Sequence, residues 1–251
     1  MIKNLLLMIQ LFTKFPINKE IKFEKDEFSR GIIFFPLIGL LIGAVACAVA
    51  YLAGLIFSRE IAAICMIASV VLITGALHLD GLADTMDGIL SARKREQMLL
   101  IMKDGRIGTH GVLALIGVTS MKYLFLLEVS PKNFLLVVLA LPIIGRTTMG
   151  ILLWGTHYAR EEGLGNLFIG KTRPRETIIT GIIGFLMVYV VLGLSGIAAF
   201  CLVIMGVSLF RIRVERLLGG ITGDVLGAMN ELSELLFIPL FILIERGGIL
   251  R

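Results

Sequence analysis

Seven long apolar runs, at roughly 31–57, 61–77, 111–128, 133–153, 177–194, 196–210 and 225–244, constrain this chain more than any other feature. A helix rises about 1.5 Å per residue, so a run near twenty residues matches the hydrocarbon thickness of a bilayer. No water inside lipid can satisfy backbone N–H and C=O groups, so each run must close its own hydrogen bonds as a helix. The expected fold is therefore all-α: a polytopic transmembrane helical bundle of about seven spans, forming a single domain over residues 1–251. The composition is 57% hydrophobic and only 17% charged, with mean hydropathy +0.94. This excludes a disordered chain, a collagen-like fibre and an ordinary soluble enzyme, whose charged share is about 25%.

The gaps at 58–60 and near 195 leave room only for tight turns, so the spans flanking them are expected to be antiparallel hairpins. Gly39 and Gly43 form a G-x-x-x-G pair, a spacing that suits close helix packing. The run from Leu5 to Phe12 is too short to span and is closed by Lys14 and Pro16, which predicts an N-terminal interfacial or re-entrant helix. No small-residue cleavage site follows it, so a signal peptide is not expected. Cys47, Cys65 and Cys201 lie inside apolar runs and carry neither a disulfide framework nor a metal spacing.

The net charge is +5. No basic stripe interleaved with aromatics appears, so nucleic acid is not an expected partner. The first 30 residues hold six Lys and Arg, segment 78–110 holds five, 154–176 holds four and 211–224 holds three. Those eighteen face Arg59, Lys132, Arg246 and Arg251 on the other side. Lys and Arg collect in cytoplasmic loops, so the N-terminus and the three long loops are expected in the cytoplasm, with the chain in the cell membrane. Lys122, nearer the outer end of its span, is expected to snorkel.

Against this background the acidic residues stand out. In His78-Leu-Asp-Gly-Leu-Ala-Asp-Thr-Met-Asp-Gly88, Asp80, Asp84 and Asp87 fall at i, i+4 and i+7, which on a helix is one face. Like charges at that spacing repel, so the face calls for a cation. Carboxylate oxygens select hard ions such as Mg²⁺. A second loop, Met102-Lys-Asp-Gly-Arg-Ile-Gly-Thr-His-Gly111, mixes Asp104 with Lys103 and Arg106 among glycines, a mixture suited to phosphate oxygens. The Arg93-Lys94-Arg95 run is read as topology charge. A third site combines Gly219, Gly220 and Gly223 with Asp224, followed by Asn230, Glu231 and Glu234 inside an apolar run, where ionisable groups are costly and usually functional. Asp224 is either a metal ligand or a helix cap. Arg146 faces substrate or pairs with Glu231 or Glu234. The three histidines form no zinc set.

Carboxylates, cations and glycines thus converge on one face of a membrane bundle. That suits a Mg²⁺-bridged diphosphate and hence a membrane transferase. The expected metal ligands are Asp80, Asp84, Asp104 and Asp224. Asp87, Asp104, Lys103 and Arg106 are the catalytic candidates, with Asp87 or Asp104 taking a proton. Arg146, Arg160, Asn230 and Glu231 are the candidates for binding substrate. Another diphosphate-using enzyme, an alcohol phosphotransferase or a prenyltransferase, is the alternative, although the former's D-G-x-x-A-R pattern and the latter's Asn-led Asp motif are missing. A cation transporter using Glu231 and Glu234 would need carboxylates across the membrane midplane.

The strings HLDGLADTMDG and IMKDGRIGTHGVLAL resemble the cobalamin synthase family, the adenosylcobinamide-GDP ribazoletransferases. LLLMIQLFTKFPI, FFPLIGLLIGA and GGITGDVLGAMNELSE extend that resemblance along most of the chain. It implies the joining of adenosylcobinamide-GDP with α-ribazole or its 5′-phosphate, giving adenosylcobalamin or its 5′-phosphate and GMP. It also implies Mg²⁺ and an integral membrane location. The expected partners are those small molecules and the lipid bilayer, with docking of other corrinoid-assembly enzymes left open. The chain departs from the family pattern at Gly105 and His110, and neither is taken as catalytic.

Overall fold

A computed structural model describes residues 2–17 and 25–248. Lys19, Lys22 and Arg251, counted in the charge split above, lie outside the described residues. Ten helices appear among these residues, α1 (Ile2–Phe12), α2 (Lys25–Gly31), α3 (Phe35–Gly54), α4 (Arg59–Thr74), α5 (Leu77–Ile89), α6 (Arg95–Ile101), α7 (Thr109–Glu128), α8 (Phe134–Leu152), α9 (Pro174–Leu218) and α10 (Gly223–Gly247), together with two short 3₁₀ turns. The only β pairing among the described residues is an isolated bridge between Tyr158 and Ile221.

Five helices are long and apolar enough to cross a membrane, or six when α4 and α5, bent by 88° at their junction, count as one broken span. The longest, α9, is itself divided. Gly193 takes φ 63° and ψ −154°, outside the helical region. The rings of Phe185 and Phe200 stand 4.7 Å apart. Fifteen residues of straight helix would separate them by about 22 Å, so the chain reverses at Gly193. Thr180 packs on Gly150 and Arg211 donates to the Leu152 carbonyl, which puts both ends of the hairpin at the same end of α8. With α9 divided, the chain makes seven passes and the sequence-based expectation near 195 holds. The protein is a multi-pass membrane protein. Large apolar side chains such as Leu113, Ile116, Leu186, Val190 and Leu209 stay exposed on the outer helix faces, the kind of surface a membrane-spanning bundle presents.

The expected span 61–77 is the one that differs most. It ends at Thr74 because Gly75 and Ala76 both adopt left-handed conformation. Glycine enters that region freely, whereas Ala76 is strained there. The bend turns α5 away from α4 and lays it along α10 and α7, so the aspartate-bearing segment joins the bundle instead of forming an open loop.

Close approaches of backbone fix the frame. A Cβ at Gly39 would strike Pro142 and Ile143, and one at Gly43 would strike Leu139, so the G-x-x-x-G pair lets α3 lie directly on α8. A Cβ at Gly81 would stand 2.7 Å from the Asp224 carbonyl oxygen, and one at Gly227 would stand 3.2 Å from His78. These two contacts press α5 against the start of α10. At the opposite end of the bundle Arg59 donates to the Leu126 and Val129 carbonyls and covers the Phe134 ring at 4.7 Å.

Candidate active site

The bridge at Tyr158 begins the site. Ala159 N–H donates to the Ile221 carbonyl and Ile221 N–H to the His157 carbonyl, both at 2.9 Å. Gly220 makes this possible: its φ is +157°, and a Cβ there would stand 2.5 Å from the His157 oxygen. The strap carries Arg160 to Asp224, with Nη2 2.7 Å from Oδ2. Asp224 does not cap α10. Thr222 does, accepting from Val225 N–H at 3.3 Å and turning its own hydroxyl to Asp224 Oδ2 at 3.2 Å. The carboxylate of Asp224 is thereby free of the cap and lines a narrow apolar pocket.

Asp80 and Asp84 face it from α5. Asp84 meets the repulsive fields of Asp224, Asp80 and Asp87, and the attraction of Arg160. Asp80 is exposed, and Asp84 and Asp224 are half-buried. Two segments about 140 residues apart therefore close on one site, with three carboxylates against a single guanidinium among the described residues. Among the described residues, no group of three or more His, Cys, Asp or Glu side chains is gathered into a metal cage. Mg²⁺ does not need one: it uses one or two carboxylates, keeps waters and takes its remaining ligands from substrate phosphates. The open, under-neutralised oxygen set of Asp80, Asp84 and Asp224 fits that chemistry.

The Arg160–Asp224 pair stands between two cavities, Arg160 lining one and Asp224 the other. One is open, about 670 Å³, and lined by Arg95, Lys103, Tyr158 and Arg160 among others. The other is about 140 Å³ and mostly apolar, with Phe12, Phe35, Phe168 and Leu226 in its walls and His78, Asp80 and Asp224 as its polar groups. Arg95 does more than the topology charge expected of the Arg93-Lys94-Arg95 run. Its Nε donates to the Leu218 carbonyl at 2.6 Å and its Nη2 to the Ala159 carbonyl at 3.1 Å, tying the end of α9 to the strap while it lines the open cleft.

The other expected residues fall into different settings. Asp87 is buried, and its two oxygens accept from Gly108 N–H at 2.7 Å and Gly111 N–H at 2.8 Å. It anchors the start of α7, where backbone donors would otherwise be unpaired, so it is not a free general base. Asp104 sits on an exposed loop, paired with Arg106 at 2.7 Å, and the hydrogen bond from Arg106 holds its carboxyl below the usual range. Neither is gathered with the three rim carboxylates. Lys103 does line the open cleft.

Arg146, Asn230 and Glu231 lie deeper, in the bundle. Lys122 Nζ reaches Glu231 at 2.6 Å and Glu234 at 2.8 Å, and Arg146 Nη1 reaches Glu234 at 2.6 Å. Asn230 donates to both glutamates, at 3.2 and 3.1 Å. Arg146 is 1% and Asn230 0% exposed, so both are enclosed by this network, while Glu231 also lines a small cavity with Lys122 and Glu234. Lys122 does not snorkel; it turns inward because two buried carboxylates need it. The neutralised glutamates also remove the basis for a cation transporter.

Nearly the whole chain matches a family model. The family described as Cobalamin-5-phosphate synthase covers residues 4–242. The chain belongs to this family. Proteins named adenosylcobinamide-GDP ribazoletransferase are similar to it throughout. The one from Clostridium novyi (strain NT) is 36% identical over 249 residues, 99% of this chain and 100% of that protein. Those from Klebsiella pneumoniae (strain 342) and Escherichia coli (strain K12) are 41% and 42% identical, over 95% and 92% of this chain and 98% and 96% of theirs. No solved structure matches the chain. The protein is therefore an enzyme of cobalamin synthesis.

Proposed function

We propose that the chain joins adenosylcobinamide-GDP to α-ribazole or its 5′-phosphate, giving adenosylcobalamin or its 5′-phosphate and GMP. The observation that carries this reading is an apolar pocket lined by Asp80 and Asp224 beside an open basic cleft lined by Arg160, the ion-pair partner of Asp224. A two-substrate transfer needs a seat for each partner and a shared place for the reacting phosphate. The open cleft, with Arg95, Lys103 and Arg160, suits the diphosphate and the departing GMP, since guanidinium groups pair phosphate oxygens through charge-assisted hydrogen bonds. The narrow pocket suits the acceptor nucleoside.

Asp80, Asp84 and Asp224 would hold Mg²⁺, which neutralises developing charge on a diphosphate when bound. The rest falls to side chains. Arg160 fixes Asp224 and reaches the cleft. A ribose hydroxyl of the acceptor, at the pocket mouth, attacks the phosphorus bonded to cobinamide, and the bond from that phosphorus to the GMP oxygen breaks in line. The hydroxyl proton passes to a carboxylate oxygen of the rim that the metal would leave free. The concentration of Lys and Arg at this end supports placing the site on the cytoplasmic side of the cell membrane.

Purified protein supplied with adenosylcobinamide-GDP, α-ribazole and Mg²⁺ is the test. GMP should appear in step with the joined corrinoid, and chelation should stop both. No GMP release under those conditions would refute the reading.

A further inference from the structure

The protonation of His78 follows from its neighbours. Its Nδ1 lies 3.2 Å from Arg146 Nη2. A guanidinium only donates, so Nδ1 must present its lone pair and the ring proton must sit on Nε2. Arg146 is held in turn by Glu234, which fixes the ring through one buried chain of contacts. His78 is 5% exposed, and its Nε2 has no hydrogen-bond partner among the described residues. A buried donor left without an acceptor is costly, and buried polar groups are rarely left so. His78 also lines the apolar pocket of about 140 Å³ whose mouth carries Asp80 and Asp224.

The occupant that suits this pocket is flat, apolar over most of its surface and equipped with one accepting atom. Phe12 stands 5.6 Å from the His78 ring and 5.0 Å from Phe35, and Phe35 stands 5.8 Å from Phe168, so the walls are aromatic. Aromatic walls favour stacked or edge-on rings. We propose that this pocket seats the heteroaromatic base of the acceptor nucleoside, with His78 Nε2–H donating to an unprotonated ring nitrogen. The inference rests on the transferase reading above and names the seat of its second substrate. A benzimidazole offers that single accepting nitrogen and an otherwise apolar edge. Guanine carries several donors and acceptors on its edge, and the deep part of the pocket would leave most of them unpaired. A base seated here brings its ribose to Asp80 and Asp224, where the phosphate is transferred.

Two probes differing in one atom test this: α-ribazole, and the corresponding indole riboside in which a C–H replaces the accepting nitrogen. Binding of each to purified wild type, His78→Phe and His78→Gln is measured by calorimetry. Wild type should prefer α-ribazole by about tenfold or more, the scale set by one unsatisfied buried donor. His78→Phe should bind both probes alike, and His78→Gln, which keeps a donor, should recover part of the preference. In turnover the KM for the acceptor should rise in His78→Phe while that for adenosylcobinamide-GDP stays. The wild-type comparison needs no variant to fold. A wild type that releases GMP yet shows no nitrogen preference overturns the pocket and leaves the reaction standing. A wild type that shows the preference in binding but never releases GMP overturns the reaction and leaves the pocket standing. A full preference retained in His78→Phe overturns the role of His78.

Discussion

Two clusters of charge sit on α10, about 10 Å apart along its axis, and they differ in completeness. In the inner one Glu231 and Glu234 face Lys122 and Arg146, two anions against two cations, each bonded at 2.6–2.8 Å. In the outer one Asp80, Asp84 and Asp224 face, among the described residues, the single cation of Arg160. The inner cluster balances its charges and joins α7, α8 and α10. The outer cluster lines the narrow pocket through Asp80 and Asp224 and, among the described residues, is short of positive charge. The same residue types make a balanced clasp in one place and, in the function proposed above, a site in the other, and the balance of charge separates the two.

Substitutions that unbalance the inner cluster should have the largest effect, and the effect should be on stability. Lys122→Met removes the cation that Glu231 depends on, and stranding a buried charge costs about 3–5 kcal/mol. Thermal unfolding in detergent should show a large drop in Tm, partly restored in the Lys122→Met/Glu231→Gln double variant. An unchanged Tm would mean that the inner cluster is not the clasp described. The outer cluster should behave in the opposite way. Asp84→Asn and Asp224→Asn remove charge without volume, and each should lower kcat/KM by about 100-fold or more, roughly 3 kcal/mol of transition-state stabilisation. Their Tm should not move, because Thr222 caps α10. A matching fall in Tm would make these carboxylates structural as well.

Asp87 lies between the two kinds. Asp87→Asn turns one accepting oxygen into a donor that faces a backbone N–H, for a stability loss of about 1–3 kcal/mol. Activity should fall only in step with the folded fraction; a loss of turnover in fully folded protein would return Asp87 to the chemistry. Arg106 should matter least. Its side chain is 88% exposed and, among the described residues, its ion pair is with Asp104. Such surface pairs contribute little, so Arg106→Gln should leave turnover within about twofold of wild type.

The features legible in the sequence are those with local causes. Apolar length gave the spans, short gaps gave the hairpins at 55–58 and Gly193, and the spacing of Gly39 and Gly43 gave the α3–α8 contact. The convergence of Asp80 and Asp84 with Asp224 was also foreseeable, since a diphosphate needs charge from more than one side. What escaped depends on partners far along the chain. Lys122 turns inward because of Glu231, 109 positions away. Arg146 meets His78 across 68 positions, and that contact alone gives His78 an orphan donor. Arg95 carries no local signal that separates it from Arg93 and Lys94. The 88° bend was hidden because Ala76 enters left-handed conformation without being the residue type that announces it. Asp87 shares its face with Asp80 and Asp84, as the spacing requires, yet the start of α7 occupies it.

Divalent-metal binding tests the contrast between the clusters most directly. Mn²⁺, followed by its paramagnetic resonance signal in the presence of adenosylcobinamide-GDP, can be titrated into wild type, Asp84→Asn and Glu231→Gln. Wild type should take up Mn²⁺ in a manner dependent on the diphosphate. Asp84→Asn should lose that uptake while remaining folded, and the folded fraction of Glu231→Gln should keep it. Uptake retained in Asp84→Asn and lost in folded Glu231→Gln would place the metal in the inner cluster and contradict the assignment of the outer carboxylates.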